Sequence, residues 1–353
     1  MKNTIFKFDK SNMLETLTNF YTQVQEAVKI GNKLNLLPIM KNINNIILCG
    51  MGGSAIGGDI LKSYLQNELK VPFLINRNYN IPEFIDKNSL VFISSYSGNT
   101  EETINALHLA KKRTNKIVCI TSGGTLKKLA LDNNFFLIII PSGYQPRSAL
   151  GFSFFPLLIF LSKLKIVKNK IDSIQETIEL LKKLSEKYTL KNKIENNKPF
   201  SIAQKLSGKI PVIYSGSDVF TPVALRWKCQ FCENSKVLAY HNSFPELDHN
   251  EITGWESSNP LLKKISVIIL KDKDDTPEIT ERIKFTKEII SPHCAEILEF
   301  HSEGESLLAR IFSLIYLGDF ISYYLALLNH KDPTTIENIE ILKKKLKNFK
   351  DNR

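Results

Sequence analysis

Proteins hold a phosphate dianion by packing many hydrogen-bond donors into a small volume. Three stretches of this sequence could supply them. Backbone N–H groups at a helix N-terminus, helped by the helix dipole, favour an anion. Glycine lets the main chain come close, and Ser or Thr hydroxyls donate without adding charge. Ser95-Tyr96-Ser97-Gly98-Asn99-Thr100 has this composition, with Ser95, Ser97 and Thr100 as candidate phosphate ligands. Gly53-Ser54 is a second such turn and Thr121-Ser122 a third. Any one of them could be an ordinary strand-to-helix turn with an N-cap residue. Several in one half of a chain point to a phosphorylated ligand.

Rival chemistries lack their partners. Gly50-x-Gly52-x-x-Ala55 fits a dinucleotide fingerprint, but that fold needs a carboxylate at the end of the next strand to hold the ribose. Here that strand ends Ile75-Asn76-Arg77. No G-x-x-x-x-G-K-[ST] loop occurs. Cys229-Gln-Phe-Cys232 is a lone pair without two further zinc ligands at matching spacing. Asp248-His249-Asn250-Glu251 is an isolated loop. Neither a metal nor a cofactor is therefore expected.

The elements that must position these loops alternate. An apolar run over 45–49 precedes the glycine-rich 50–59, followed by a helix over 59–68 and a strand over 71–75. A second strand over 89–94 leads into the Ser95 loop, then a helix over 101–113 and a strand over 116–120. One more helix and the apolar run 135–140 follow. Such alternation predicts a doubly wound α/β unit whose parallel sheet is covered on both faces. Its ligands bind outside the carboxyl ends of the strands, where all three loops fall.

The pattern restarts after a polar, lysine-rich helical stretch. Strands are expected over 211–214, 265–270 and 295–300, with helices over 221–233 and 278–290. A long helix starts at Ser306 and a short one near Thr335, while a helix over 11–37 opens the chain. The expected organisation is a first α/β domain over 1–164, a helical bridge over 165–197, a second α/β domain over 198–330, and a C-terminal helix over 331–353.

Whole-chain properties narrow the partners. The 353 residues are 43% hydrophobic and 24% charged, with a formal net charge of +11. The lysines are scattered among asparagines with no basic stripe interleaved with aromatics, so no nucleic-acid partner is expected. The apolar stretch 307–328 contains Arg310 and Asp319, which would be costly in lipid. It reads as a buried helix, with no membrane partner. The start of the chain has no apolar signal core. Five cysteines, an odd number without a disulfide framework, fit a reducing cytoplasm.

Gly50-Met51-Gly52-Gly53-Ser54-Ala55-Ile56-Gly57-Gly58-Asp59 together with Ser95-Tyr96-Ser97-Gly98-Asn99-Thr100-Glu101-Glu102-Thr103 resembles the sugar isomerase (SIS) domain. Further motifs are Gln145-Pro146-Arg147-Ser148-Ala149-Leu150-Gly151, Arg226-Trp227-Lys228, and Cys232-Glu233-Asn234-Ser235-Lys236. Pro245-Glu246-Leu247-Asp248-His249-Asn250-Glu251 and Asp332-Pro333-Thr334 complete the set. Together they resemble the bifunctional phosphoglucose/phosphomannose isomerases, which carry two tandem SIS domains. The resemblance implies metal-independent interconversion of glucose 6-phosphate, and of mannose 6-phosphate, with fructose 6-phosphate through a cis-enediol.

On that resemblance Glu233 is the base, His249 opens the sugar ring, Lys343 assists at the ring or its hydroxyls, and Arg147 stabilises enediolate charge. Lys344 and Lys345 compete with Lys343 for its role, and Thr334 or Thr335 is the threonine tied to mannose specificity. The resemblance also implies a homodimer with shared active sites, His249 reaching the neighbour's Glu233. Cys232 departs from the small or polar residue expected before the base. The alternative from another class is a non-catalytic SIS protein that senses sugar phosphates. Such regulators usually add a DNA-binding domain, for which no segment here is large enough.

Overall fold

Unbroken runs of Ile, Leu, Val and Phe leave a strand no polar face, so both of its sides must be covered. The computed structural model describes residues 5–36, 40–189 and 196–351, and such strands form its centre. Strands β1 (Asn45–Gly50), β3 (Ser89–Ser94) and β4 (Ile117–Thr121) are buried along their whole length. With β2 (Phe73–Asn76) and β5 (Phe136–Ile139) they make a parallel sheet in the order β2-β1-β3-β4-β5. The order reverses between β1 and β3, where Gly50 pairs with Ser94. That register sets the Gly52-Gly53-Ser54 and Ser95–Thr100 loops side by side at the switch point. A second parallel sheet has the order β7-β6-β8-β9. It comprises β6 (Ile210–Ser215), β7 (Tyr240–Ser243), β8 (Ile265–Lys271) and β9 (Glu296–His301).

The helices differ from the sequence expectation in instructive ways. The first one divides at Asn19 into α1 (Met13–Thr18) and α2 (Phe20–Asn32), and Leu37 lies outside the described residues. Helix α3 (Gly53–Leu65) starts inside the glycine-rich stretch, six residues ahead of the expected Asp59. Its glycines are packing sites: a Cβ on Gly57 would stand 2.5 Å from Ser153 Oγ. Helices α4 (Glu101–Ala110) and α5 (Gly124–Asp132) follow β3 and β4. Helix α6 (Leu150–Lys163) was not expected. It is apolar all round, with every residue from Leu150 to Leu161 buried, and so shows no amphipathic period.

Between the sheets, α7 (Ile171–Tyr188) buries one face through Ile174, Ile178, Leu181, Leu184 and Tyr188. Residues 190–195 of the expected bridge lie outside the described residues. The second half adds α8 (Lys198–Leu206), α9 (Thr221–Gln230), α10 (Pro277–Ile290), α11 (Leu307–Leu328) and α12 (Glu337–Asp351).

Helix α11 joins the two halves. Its N-cap Ser306 accepts a hydrogen bond from Ala309 N, and residues Leu308 to Leu327 are all buried. Phe312 packs on Phe154 and Phe155 of α6 with ring centroids 5.1 and 5.0 Å apart. On another side the Trp227 indole of α9 donates to Leu314 O at 2.8 Å, and a side chain on Gly318 would overlap that indole. One continuous apolar core therefore contains Leu48 and Phe92 of the first sheet with Ile213 and Ile268 of the second. Among the described residues α11 alone is long and apolar enough to cross a membrane, and 94% of its most apolar window is buried in the protein.

Its two charges are neutralised in place. Asp319 receives Arg226 at 3.1 and 2.7 Å and Gln230 at 2.8 Å. Arg310 donates to Asp272 at 2.9 Å. The Arg226 and Asp319 side chains are 4% and 5% exposed, so removing one leaves the other charge stranded. Asp319→Ala is expected to cost about 3–5 kcal/mol, read as a lowered urea midpoint. An unchanged midpoint would show that the pair contributes nothing to stability.

Candidate active site

Three loops at the carboxyl edge of the first sheet close on the backbone of Tyr96. Ser54 Oγ, on the first turn of α3, accepts from Tyr96 N at 3.0 Å. Ser122 Oγ donates to Tyr96 O at 2.7 Å. Ser95 and Thr100 hydroxyls lie 2.9 Å apart, and Thr100 N reaches Ser95 Oγ at 3.4 Å. Thr100 is the N-cap of α4, and Ser97 is exposed. Gly98 stands at φ +71°, and any side chain there would overlap the Gly123 carbonyl, so this tight crossing demands glycine. The cluster offers an anion the N-termini of α3 and α4 and the Ser97 hydroxyl.

The Tyr96 ring extends this cluster toward the other half of the chain. Its hydroxyl donates to Pro141 O and accepts from Tyr144 N, each at 2.9 Å. The segment so held ends at Arg147, on a short turn over Pro146–Ser148. Gly53 abuts it directly: a Cβ there would stand 2.5 Å from the Pro146 carbonyl.

Arg147 is 3% exposed and gathers four acceptors. Its Nε donates to Asn234 Oδ1 at 2.6 Å, and Nη2 donates to Pro333 O at 2.8 Å and Thr334 O at 2.9 Å. Nη1 lies 3.4 Å from Glu233 Oε2, whose side chain is 28% exposed. Burial pushes the Arg147 pKa down, and the Glu233 carboxylate opposes that shift. The group remains a cation at neutral pH.

Glu233 sits where α9 widens into a π-helical turn over Phe231–Ser235, not on the regular helix expected over 221–233. Such turns redirect a side chain and are frequent at functional sites. This one is held from below by α11. Asn234 Nδ2 donates to Ser322 Oγ at 3.0 Å and Ser235 Oγ to Ser322 O at 2.7 Å.

Two cavities meet at Glu233. A small one of about 100 Å³ is lined by Gly53, Arg77, Arg147, Gln230 and Glu233. The other, about 690 Å³, is lined by Phe8, Cys232, Glu233, Lys236 and Thr335. A larger cavity of about 920 Å³ between Glu68, Lys163 and Lys170 touches none of the expected site residues. Convergence of loops, not volume, marks the site.

The structure thus brings Gly53, Arg147 and Glu233 around one cavity and ties Ser54, Ser95 and Thr100 into the adjoining loops. It does not bring His249 or Lys343 to them. Lys343 is exposed on α12 and lines neither cavity. His249 is exposed on a short helical turn over Glu246–His249. Its flanks are fixed: Asp248 accepts from Arg282 at 3.1 Å and Thr286 at 2.9 Å, and Glu251 accepts from Tyr214 at 2.5 Å and Asn242 at 2.7 Å. Residue-type reasoning passed over Tyr96 and Asn234, whose roles depend on contacts between segments distant in sequence.

Residues 195–346 match the family described as the bacterial phospho-glucose isomerase C-terminal SIS domain, and residues 39–148 match the SIS domain family. The chain is 43% identical over 339 residues to the bifunctional phosphoglucose/phosphomannose isomerase of Caldicellulosiruptor bescii, covering 96% of this chain and 100% of that one. It is 31% identical over 305 residues to the D-glucosamine-6-phosphate 4-epimerase of Sulfolobus acidocaldarius, covering 86% and 90%. The solved structure of a hypothetical protein from Thermus thermophilus superposes with a TM-score of 0.75 at 15% identity, covering 98% of this chain and 92% of that one. The two family models establish the SIS domains, and the last likeness shows a shared overall fold.

Arg147→Met would leave the Pro333 and Thr334 carbonyls without their buried donor. A hydrogen bond to a charged group contributes about 1.5–3 kcal/mol. Amide exchange of the segment that begins at Pro333 should therefore accelerate about tenfold or more, with β1 and β3 still protected. Unchanged exchange there would show that something else holds the segment.

Proposed function

We propose that this chain, which belongs to the family of the bifunctional phosphoglucose/phosphomannose isomerases, interconverts glucose 6-phosphate and mannose 6-phosphate with fructose 6-phosphate. Identity of 43% over the full length of the C. bescii enzyme favours isomerisation over the 4-epimerase reaction of the 31% identical relative. The observation that carries the reading is the pairing of Glu233 with Arg147 at 3.4 Å beside Gly53, next to the loops that close on Tyr96.

The chemistry divides among these groups. Gly53, Ser54, Ser95, Ser97 and Thr100 hold the phosphate and with it the position of C1 and C2. His249 moves a proton to and from the ring oxygen, a task for which an imidazole can serve as both acid and base. Glu233 then removes the proton next to the carbonyl, and a carboxylate suits that transfer. Negative charge develops on the enediolate oxygens, where the fixed, buried Arg147 cation is a strong electrostatic stabiliser. The family resemblance gives Lys343 of α12 a part at the sugar hydroxyls, although here it lines neither cavity. Both aldoses differ at C2 alone, so a single enediol serves both. Thr335, which lines the cavity beside Glu233, and Thr334, whose buried hydroxyl has no partner among the described residues, both remain candidates for a part in mannose specificity.

Residues 1–164 then supply the phosphate loops, 198–330 the base and His249, and 331–353 the closing helix, with 165–197 as the bridge. Free cysteines and phosphorylated metabolites fit a cytoplasmic location. A homodimer with shared sites accounts for His249, whose loop is anchored on both flanks while its ring faces outward. The exposed Ile339, Leu342 and Leu346 of α12 offer apolar surface for such an interface.

Two experiments test the reading. Glu233→Gln keeps the shape and removes the base. It is expected to abolish formation of fructose 6-phosphate from either aldose while leaving sugar-phosphate binding nearly intact. The assay is run with a chelator present, because no metal is expected to take part. Substantial turnover by the variant would remove Glu233 from the mechanism, and metal-dependent activity would contradict the metal-free reaction.

Subunit complementation tests the shared site. Glu233→Gln and His249→Ala chains, each inactive alone, are mixed under conditions that exchange subunits. One of the two sites in a mixed dimer then regains both groups, restoring roughly a quarter of wild-type activity by subunit counting. No recovery despite demonstrated exchange would place His249 in its own subunit's site.

A further inference from the structure

Lys236 closes the π-helical turn and stands in the left-handed region at φ 56°. A long L side chain is uncommon there and costs about 1–2 kcal/mol, so the surroundings must hold it. Its ammonium donates to three main-chain carbonyls: Glu233 O at 2.9 Å, Asn234 O at 3.2 Å and Asp332 O at 2.6 Å. The first two belong to the turn itself, where a helix end leaves carbonyls short of donors. The third lies 96 residues away, on the strap that Arg147 grips through Pro333 and Thr334. A lysine that merely capped its own helix would bond its own last carbonyls. This one also ties the turn to the strap, and it lines the cavity of about 690 Å³ together with Glu233.

We propose that Lys236 is a positioning residue for Glu233, its ammonium fixing the turn's carbonyls and drawing the Asp332–Thr334 strap against them so that the carboxylate points at the substrate carbons. This rests on the isomerase reading and adds to it a second cation, one that acts through the base without touching the sugar. Glu233 is thereby bracketed, with Arg147 beside its carboxylate and Lys236 on its carbonyl.

Lys236 is exposed as a whole residue, but partial desolvation of its ammonium among the carbonyls, then the neighbouring Arg147 charge, push its pKa down to about 8, against Asp332, Glu233 and Glu337. Cys232 borders the same cavity, and Lys7, Lys10, His330 and Lys331 face it from the N-terminal segment and the end of α11. A neutral amine has two N–H groups for three carbonyls. The clamp is therefore complete below about pH 8 and loosens as pH rises through it. A guanidinium at this position would stay charged.

The test measures kcat and KM for fructose 6-phosphate with the wild-type chain, Lys236→Met and Lys236→Arg, from neutral pH upward, together with thermal unfolding. A misplacement of about 1 Å can cost about a hundredfold in rate. Lys236→Met should accordingly lose about tenfold or more in kcat at neutral pH, with KM within about twofold. Wild-type kcat should fall above about pH 8, and in Lys236→Arg that fall should move upward by about one unit or more. A purely structural lysine would lower stability without changing kcat per folded molecule. Wild-type kcat in Lys236→Met, a defect confined to KM, or superimposable alkaline limbs for wild type and Lys236→Arg would overturn the proposal. If Lys236→Met does not fold, the alkaline limbs decide. No turnover by the wild-type chain would refute the isomerase reading itself; wild-type turnover with an unaltered Lys236→Met would overturn this inference alone.

Discussion

The buried guanidinium of Arg147 is the constraint on which the rest of the site depends. It bonds partners 87 and 186 residues further along the chain. A cation taken out of water is costly unless each of its donors finds an acceptor. Its acceptors are a side-chain amide, two main-chain carbonyls and a carboxylate, drawn from the π-helical turn and from the strap before α12. The turn, the strap and the Pro146–Ser148 segment must all be in place for the cation to be tolerated. The constraint runs on into the core. Arg226 donates to the Arg147 carbonyl at 3.0 Å and also holds Asp319 of α11. The helix that joins the two sheets therefore also fixes Arg147, the group we propose as the enediolate's stabiliser.

The two sheets divide the work by a common logic. At the switch point of the first, main-chain donors and hydroxyls gather around Tyr96 and present helix N-termini to an anion. From the second, α9 carries Glu233, the proposed base, in on a widened turn braced by α11 and Arg147. On the proposed reading, phosphate binding and proton transfer thus come from separate halves of the chain, and the Gly53–Pro146 contact brings them together. A side chain at Gly53 would separate them.

Much of this was legible in the residues. The strands of the first sheet and three of the second lie within one or two residues of expectation, because runs such as Ile46-Ile47-Leu48 have no polar alternation to obscure them. The Ser95–Thr100 loop and Glu233 were marked by residue type and motif. Three features were hidden for physical reasons. Helix α6 is buried on every side, so it lacks the periodicity that reveals a helix. Strand β7 is an edge strand of four residues, Tyr-His-Asn-Ser, without an apolar run. The π-helical turn adds no distinct composition to α9; it is imposed by Ser322 and Arg147, contacts that no local sequence pattern encodes. Asp319 was visible as a charge in an apolar stretch, but its partner Arg226 was not, since an ion pair 93 residues apart leaves no local signal.

The most direct test follows the proton itself. The enzyme is incubated with fructose 6-phosphate in deuterium oxide and the aldose products are examined by nuclear magnetic resonance. Proton transfer through one enediol predicts deuterium at C2 of both glucose 6-phosphate and mannose 6-phosphate, with C4 unlabelled. Aldose still free of label at C2 after many turnovers at equilibrium, or label and inversion at C4, would contradict a base-catalysed enediol at the Glu233–Arg147 pair.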